Sequence, residues 1–128
     1  MSEHRVVITG LGIVAPNATD LSGFSEALRA GKSGIRHQPE LERLHFSCCI
    51  AGEPQLSEHT IAQYFSPLEL RNFNTTSILY GVIAGMQAWA DAGLEPATAE
   101  HPDWDSGTVF GNGSSGVEKF RESIYKID

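Results

Sequence analysis

The chain has 128 residues, enough for one domain with a hydrophobic core and too few for two independent ones. Hydrophobic residues make up 41% and charged residues 20%, ordinary globular usage that excludes a disordered chain and a fibrous repeat. The net charge is −7 and the bases are scattered singly, so no nucleic-acid partner is expected; no apolar run approaches the roughly 18 residues of a membrane span, so no membrane is expected either.

Arg5-Val-Val-Ile-Thr9 is a β-branched run, apolar on both faces, and predicts a strand inside a sheet, followed by a turn at Gly10-Leu11-Gly12. Asp20 or Ser22 can cap a helix with Leu21, Phe24 and Leu28 on one face, ended by Gly31 and Gly34. Residues 36 to 64 are mixed, with a short strand at Cys48 to Ala51 and a short helix from Ser57 to Tyr64. Ser66-Pro67 with Glu69 is a helix start, and Asn74-Thr75-Thr76 is a second. From Ser77 to Ala92 the apolar residues cover most of the helix circumference, leaving Gln87 and Asp91 as the polar ones, which predicts a buried helix. Gly81, Gly85, Ala88 and Ala92 make a small-residue stripe that lets another backbone come close, and Gly93 is the expected stop. Thr108-Val109-Phe110 predicts a short strand, and a last helix carries Val117, Phe120, Ile124 and Ile127 on one face. This alternation favours an α/β class.

Two glycine motifs follow predicted strands. Gly10-x-Gly12-x-x-Ala15 and Gly111-x-Gly113-x-x-Gly116 both fit a dinucleotide fingerprint. In the first, Pro16 interrupts the helix that should bind phosphate, and no acid stands about 20 positions on. Close passage of the backbone past other elements is the alternative reading of both motifs. Gly31-Lys32-Ser33-Gly34 is half of a phosphate loop, with Ala27 where the first glycine belongs and a helix where a strand should precede it. Cys48 and Cys49 read as reduced, buried structural thiols, and the five histidines show no metal-ligand spacing, so no metal is expected. The first residues lack the layout of a signal peptide, which makes a cytoplasmic protein the expectation.

Arg5-Val-Val-Ile-Thr-Gly-Leu-Gly-Ile-Val-Ala-Pro16, Ala27-Leu-x-Ala-Gly-Lys-Ser-Gly-Ile35, Tyr80 to Leu94 and Gly111-x-Gly113, in that order, resemble the N-terminal part of the β-ketoacyl-acyl-carrier-protein synthases, condensing enzymes of the thiolase-like superfamily. The resemblance implies an alternating αβαβα layered fold of which residues 1–128 are an incomplete N-terminal part. It implies a cysteine nucleophile that takes an acyl chain from an acyl carrier protein, and two histidines that support condensation with a malonyl unit to a 3-oxoacyl product. It also implies a homodimer or a ketosynthase heterodimer, and no cofactor. None of the catalytic residues matches a position of this chain; they are expected beyond residue 128.

The resemblance further implies that Arg71 takes part in docking the carrier protein and that Phe120 gates the acyl pocket at the dimer interface. Helical pattern alone would make Phe120 a core residue. Two departures from the family pattern stand out: Arg71 is the lone base on the stretch Leu68 to Asn74, and Asn74 and Thr76 replace the usual acid and aromatic. They keep open a non-catalytic partner subunit of chain-length-factor type. A small nucleotide-binding domain is the alternative from a different class.

Overall fold

A computed structural model describes residues 5–73, 75–113 and 116–127. In chain order it contains α1 (Leu21–Arg29), β1 (Ile35–His37), α2 (Pro39–Arg43), β2 (Ile50–Gly52), α3 (Glu58–Ala62), α4 (Pro67–Leu70), α5 (Thr76–Asp91) and α6 (Val117–Tyr125). β1 and β2 pair antiparallel, with Arg36 opposite Ala51.

The helix boundaries follow from local chemistry. The Asp20 carboxylate accepts the Gly23 amide at 2.8 Å and caps α1. Ser66 and Glu69 form a reciprocal capping box at the start of α4. Gly31 (φ 63°) and Gly93 (φ 69°) take up the left-handed conformation just past α1 and α5. Behind them, Lys32 donates to the Ala27 carbonyl at 2.8 Å and Leu94 to that of Trp89 at 3.2 Å, satisfying carbonyls the helix leaves open. α2 ends the same way, but with His45 at φ 57° in the glycine position.

α5 is the organising element. Ile83 is fully buried, and Leu79 and Ala27 complete the buried apolar core among the described residues. The helix is less covered than its composition predicts, since Ile78 and Met86 remain exposed. The face that is covered carries Ala84, Ala88 and Ala92, against which the segment around Gly10 and Gly12 lies.

Two predicted strands are corrected. Neither Arg5–Thr9 nor Thr108–Phe110 belongs to a ladder. A strand is defined by its partner, and among the described residues no other extended segment pairs with either. Val6 is accordingly 95% exposed and Val109 99% exposed. The sheet that does form uses β1, which no sequence signal marked, and β2, one or two residues later than predicted. Gly34 does not end α1; it sits against Pro16, where an added Cβ would stand 2.6 Å from the Pro16 Cβ.

Candidate functional site

Among the described residues, the segment of residues 10–13 is seated tightly on α5. A Cβ placed on Gly10 would come within 2.6 Å of the Ala92 amide nitrogen, and one on Gly12 within 2.6 Å of that of Ala88. Only hydrogen fits there. Along this segment the backbone turns alternate amides toward Gln87 and Asp91 on the helix. Leu11 donates to Asp91 Oδ2 at 2.9 Å, and Ile13 donates to Gln87 Oε1 at 2.9 Å. Two residues of extended chain advance about 6.7 Å and four residues of helix about 6 Å, so the i, i+2 and i, i+4 repeats run in step. Gln87 also donates to the Thr19 carbonyl at 2.8 Å and to the Tyr64 hydroxyl at 3.3 Å. It thereby ties the segment to the start of α1 and to the end of α3.

This arrangement explains the first glycine motif. The surface a pyrophosphate would need on Gly10 and Gly12 is occupied by α5, and Ala15 and Ala18 close a tight turn around Pro16 by exchanging backbone hydrogen bonds of 2.8 and 3.2 Å. By sequence alone Gln87 and Asp91 are only the polar remainder of an apolar helix. Their four-residue spacing opposite a Gly-x-Gly alternation is the signal that could have revealed their role.

The second glycine motif is open. Phe110 lays its ring over Gly81, where an added Cβ would meet the ring's Cζ at 3.2 Å. Ser77, Ile78, Phe110 and Gly111 to Gly113 border a cleft of about 510 Å³ between the N-terminal half of α5 and the loop before α6. Ser114 and Ser115 of that motif lie outside the described residues.

Arg71 is exposed at the C-terminal cap of α4. Its helix is held by Glu69, whose Oε2 accepts the Ser66 amide at 2.8 Å and the Ser66 hydroxyl at 2.7 Å. The backbone and then the hydroxyl of Ser66 hold the Glu69 carboxyl below its usual range. Phe65 and Phe73 bracket the same turn, their ring centroids 4.8 Å apart. Phe120 is 69% exposed on α6, and Val117, Ile124 and Ile127 are exposed with it. Phe120 is thus not packed into the core formed by the described residues, and α6 turns an apolar face outward. No hydrogen bond or ion pair among the described residues joins Arg71 and Phe120. The buried-thiol expectation is also corrected, because Cys48 is exposed and Cys49 is half-buried, its thiol donating to the Phe46 carbonyl at 3.3 Å. No helix among the described residues is long and apolar enough to cross a membrane.

The glycine-bearing segment clamped to the small-residue face of α5 is scaffold, and comparison with known proteins identifies the family. The family profile described as "Beta-ketoacyl synthase, N-terminal domain" matches residues 3–126, and the chain belongs to that family of condensing enzymes. It is 35% identical over 118 residues to 3-oxoacyl-[acyl-carrier-protein] synthase 2 of Vibrio cholerae, covering 92% of this chain and 27% of that protein. It is 31% identical over 122 residues to the tetracenomycin polyketide synthase ketoacyl synthase beta subunit of Streptomyces glaucescens, covering 95% of this chain and 29% of the relative. The alpha subunit of the same synthase is 31% identical over 96 residues, or 75% of this chain and 22% of the relative. The chain thus spans between a fifth and three tenths of the length of these curated relatives.

Proposed function

We propose that residues 1–128 form the N-terminal part of a thiolase-like αβαβα domain in a cytoplasmic condensing enzyme of fatty-acid or polyketide synthesis. The enzyme moves an acyl group from an acyl carrier protein to its own cysteine and condenses it with a malonyl-carrier unit to a 3-oxoacyl product. The match of residues 3–126 to the ketosynthase N-terminal domain carries this reading. A thiolate suits the task, since it forms an exchangeable thioester, and fixed donors stabilise the charge that develops on the thioester oxygen. The nucleophile and the two histidines lie outside this chain. Cys48 and Cys49 are not the nucleophile, and no cofactor or metal is used.

Two residues of this chain act on substrate and partner in this reading. Arg71, exposed at the end of a capped helix, meets the acidic carrier protein. Phe120, on the outward apolar face of α6, meets a second subunit and gates the acyl pocket. Phe120→Ala in the intact dimer tests this. A phenyl ring removed from a filled pocket should let longer acyl groups load, and the mass of the acyl-enzyme against a ladder of acyl-carrier substrates reports it. An unchanged length profile would remove Phe120 from the pocket.

A second reading is favoured by the similarity to the polyketide synthase beta subunit over 95% of this chain, together with Asn74 and Thr76 at positions where the family usually has an acid and an aromatic. In it the protein is a non-catalytic partner of chain-length-factor type within a ketosynthase heterodimer. A condensation assay on the intact protein alone separates the two, because only the first reading predicts turnover. A third reading, nucleotide binding, loses the first of its two motifs to the packing of Gly10 and Gly12 on α5.

A further inference from the structure

The Gly31-Lys32-Ser33-Gly34 turn is no phosphate loop, since its Lys32 amide is spent on the Ala27 carbonyl and the Ile35 amide on Ser33 Oγ. It nevertheless borders a second kind of site. Between this turn and the one around Pro16 lies a cleft of about 270 Å³, with Asn17, Thr19, Lys32, Ser33, Arg36 and Gln55 on its walls. In a chain with 16 acids, no carboxylate lines it among the described residues. The ion pairs among those residues belong to His37, Arg43 and Lys119, so Lys32 and Arg36 border one concavity with no ion-pair partner among the described residues.

The Arg36 guanidinium is held from behind by a hydrogen bond, and Lys32 is anchored through its backbone. Arg36 sits in β1 and donates one guanidinium N–H to the Pro16 carbonyl at 3.2 Å, which fixes the plane of the fork and leaves its other donors free. The backbone of Lys32 is pinned by its bond to Ala27 and by Asn17, whose Nδ2 donates to the Lys32 carbonyl at 3.3 Å. Ser33 Oγ accepts the Ile35 amide at 3.1 Å, so its hydroxyl proton is available to donate. Residues carrying a guanidinium fork, an ammonium and a hydroxyl line a concavity with no acidic residue on its own walls, a donor set that suits a tetrahedral oxyanion bearing two charges; Asp20 and Glu26 border the adjoining cleft, which shares Asn17, Thr19 and Lys32 with it. We propose that the Lys32–Arg36 cleft binds a phosphate monoester dianion or its inorganic counterpart.

The test is calorimetric titration of the intact protein with inorganic phosphate and, separately, with phenyl phosphate, at an ionic strength held constant with chloride. Saturable binding is expected, and Lys32→Gln and Arg36→Gln should each weaken it by about tenfold or more, as expected for loss of a charge-assisted hydrogen bond. If Arg36→Gln fails to fold for want of its Pro16 contact, Lys32→Gln carries the test alone. Equal affinity for the two probes assigns free phosphate as the ligand, and tighter binding of phenyl phosphate assigns an organic monoester; both support the site. Heats that never saturate, or saturable binding that Lys32→Gln leaves unchanged, would overturn it.

Discussion

The side-chain amide of Gln87 accepts the Ile13 backbone N–H at 2.9 Å and so fixes the register of an extended segment on a helix 74 residues later in the chain. Asp91 repeats the contact one turn on, with Leu11. Gln87 and Asp91, the polar residues in the C-terminal half of α5, serve as the partners a neighbouring strand would supply. Gly10 and Gly12 bring the segment close enough for these bonds, and the small residues of α5 make room.

Gly12→Ala should be among the most damaging small substitutions in the chain. Its Cβ would meet backbone of α5, which cannot yield as a flexible side chain can. Overpacking of this kind costs about 1–3 kcal/mol. A thermal melt of the intact protein should show a clearly lowered midpoint for Gly12→Ala and for Gly10→Ala; a wild-type melt would mean that the segment does not pack on α5.

Gln87→Leu keeps the volume and removes every polar bond. The Ile13 amide and Thr19 carbonyl are then left unpaired in a part-buried place, at about 1–3 kcal/mol for each group that water does not reach. Hydrogen exchange should accelerate at Ile13 more than at Ile83 in the core. Unchanged protection of the Ile13 amide would contradict the clamp.

The start of α4 should be acid-sensitive. Because Ser66 depresses the Glu69 carboxyl in the folded state, the capping interaction contributes fully above the ordinary value of 4.5 and is lost as pH falls through the lowered one. Protection of the Leu70 amide should fall in that acid window, and Glu69→Gln should abolish the dependence. A pH-independent Leu70 amide in the native protein would show that the box does not hold the helix.

Much of this architecture is legible in the residues. Ser66-Pro67 with Glu69 marks α4, and Gly31 and Gly93 mark where α1 and α5 stop, because caps are local chemistry that needs no partner. The failures are non-local. Arg5 to Thr9 reads as a strand by composition, but a ladder requires a neighbour that these residues do not specify. Ile35 to His37 shows no pattern and becomes β1 because Ile50 to Gly52 lies opposite. Gln87 and Asp91 read as a solvated remnant because their partners sit 74 and 80 residues away, a separation that helical periodicity cannot see. Of the site residues, Arg71 and Phe120 came from family resemblance; helical pattern would have buried Phe120, and the fold exposes it.

The site at which an acyl group becomes attached decides most directly whether this chain belongs to a catalytic condensing enzyme. The intact protein should be incubated with an acyl-carrier substrate and the adduct mapped by mass spectrometry in native, Cys48→Ser and Cys49→Ser forms. A single acyl group on a cysteine outside residues 1–128, formed equally in all three, is the predicted result. Loss of the adduct in either variant, or no adduct in any form, would contradict the assignment of this chain to a catalytic condensing enzyme whose nucleophile lies elsewhere.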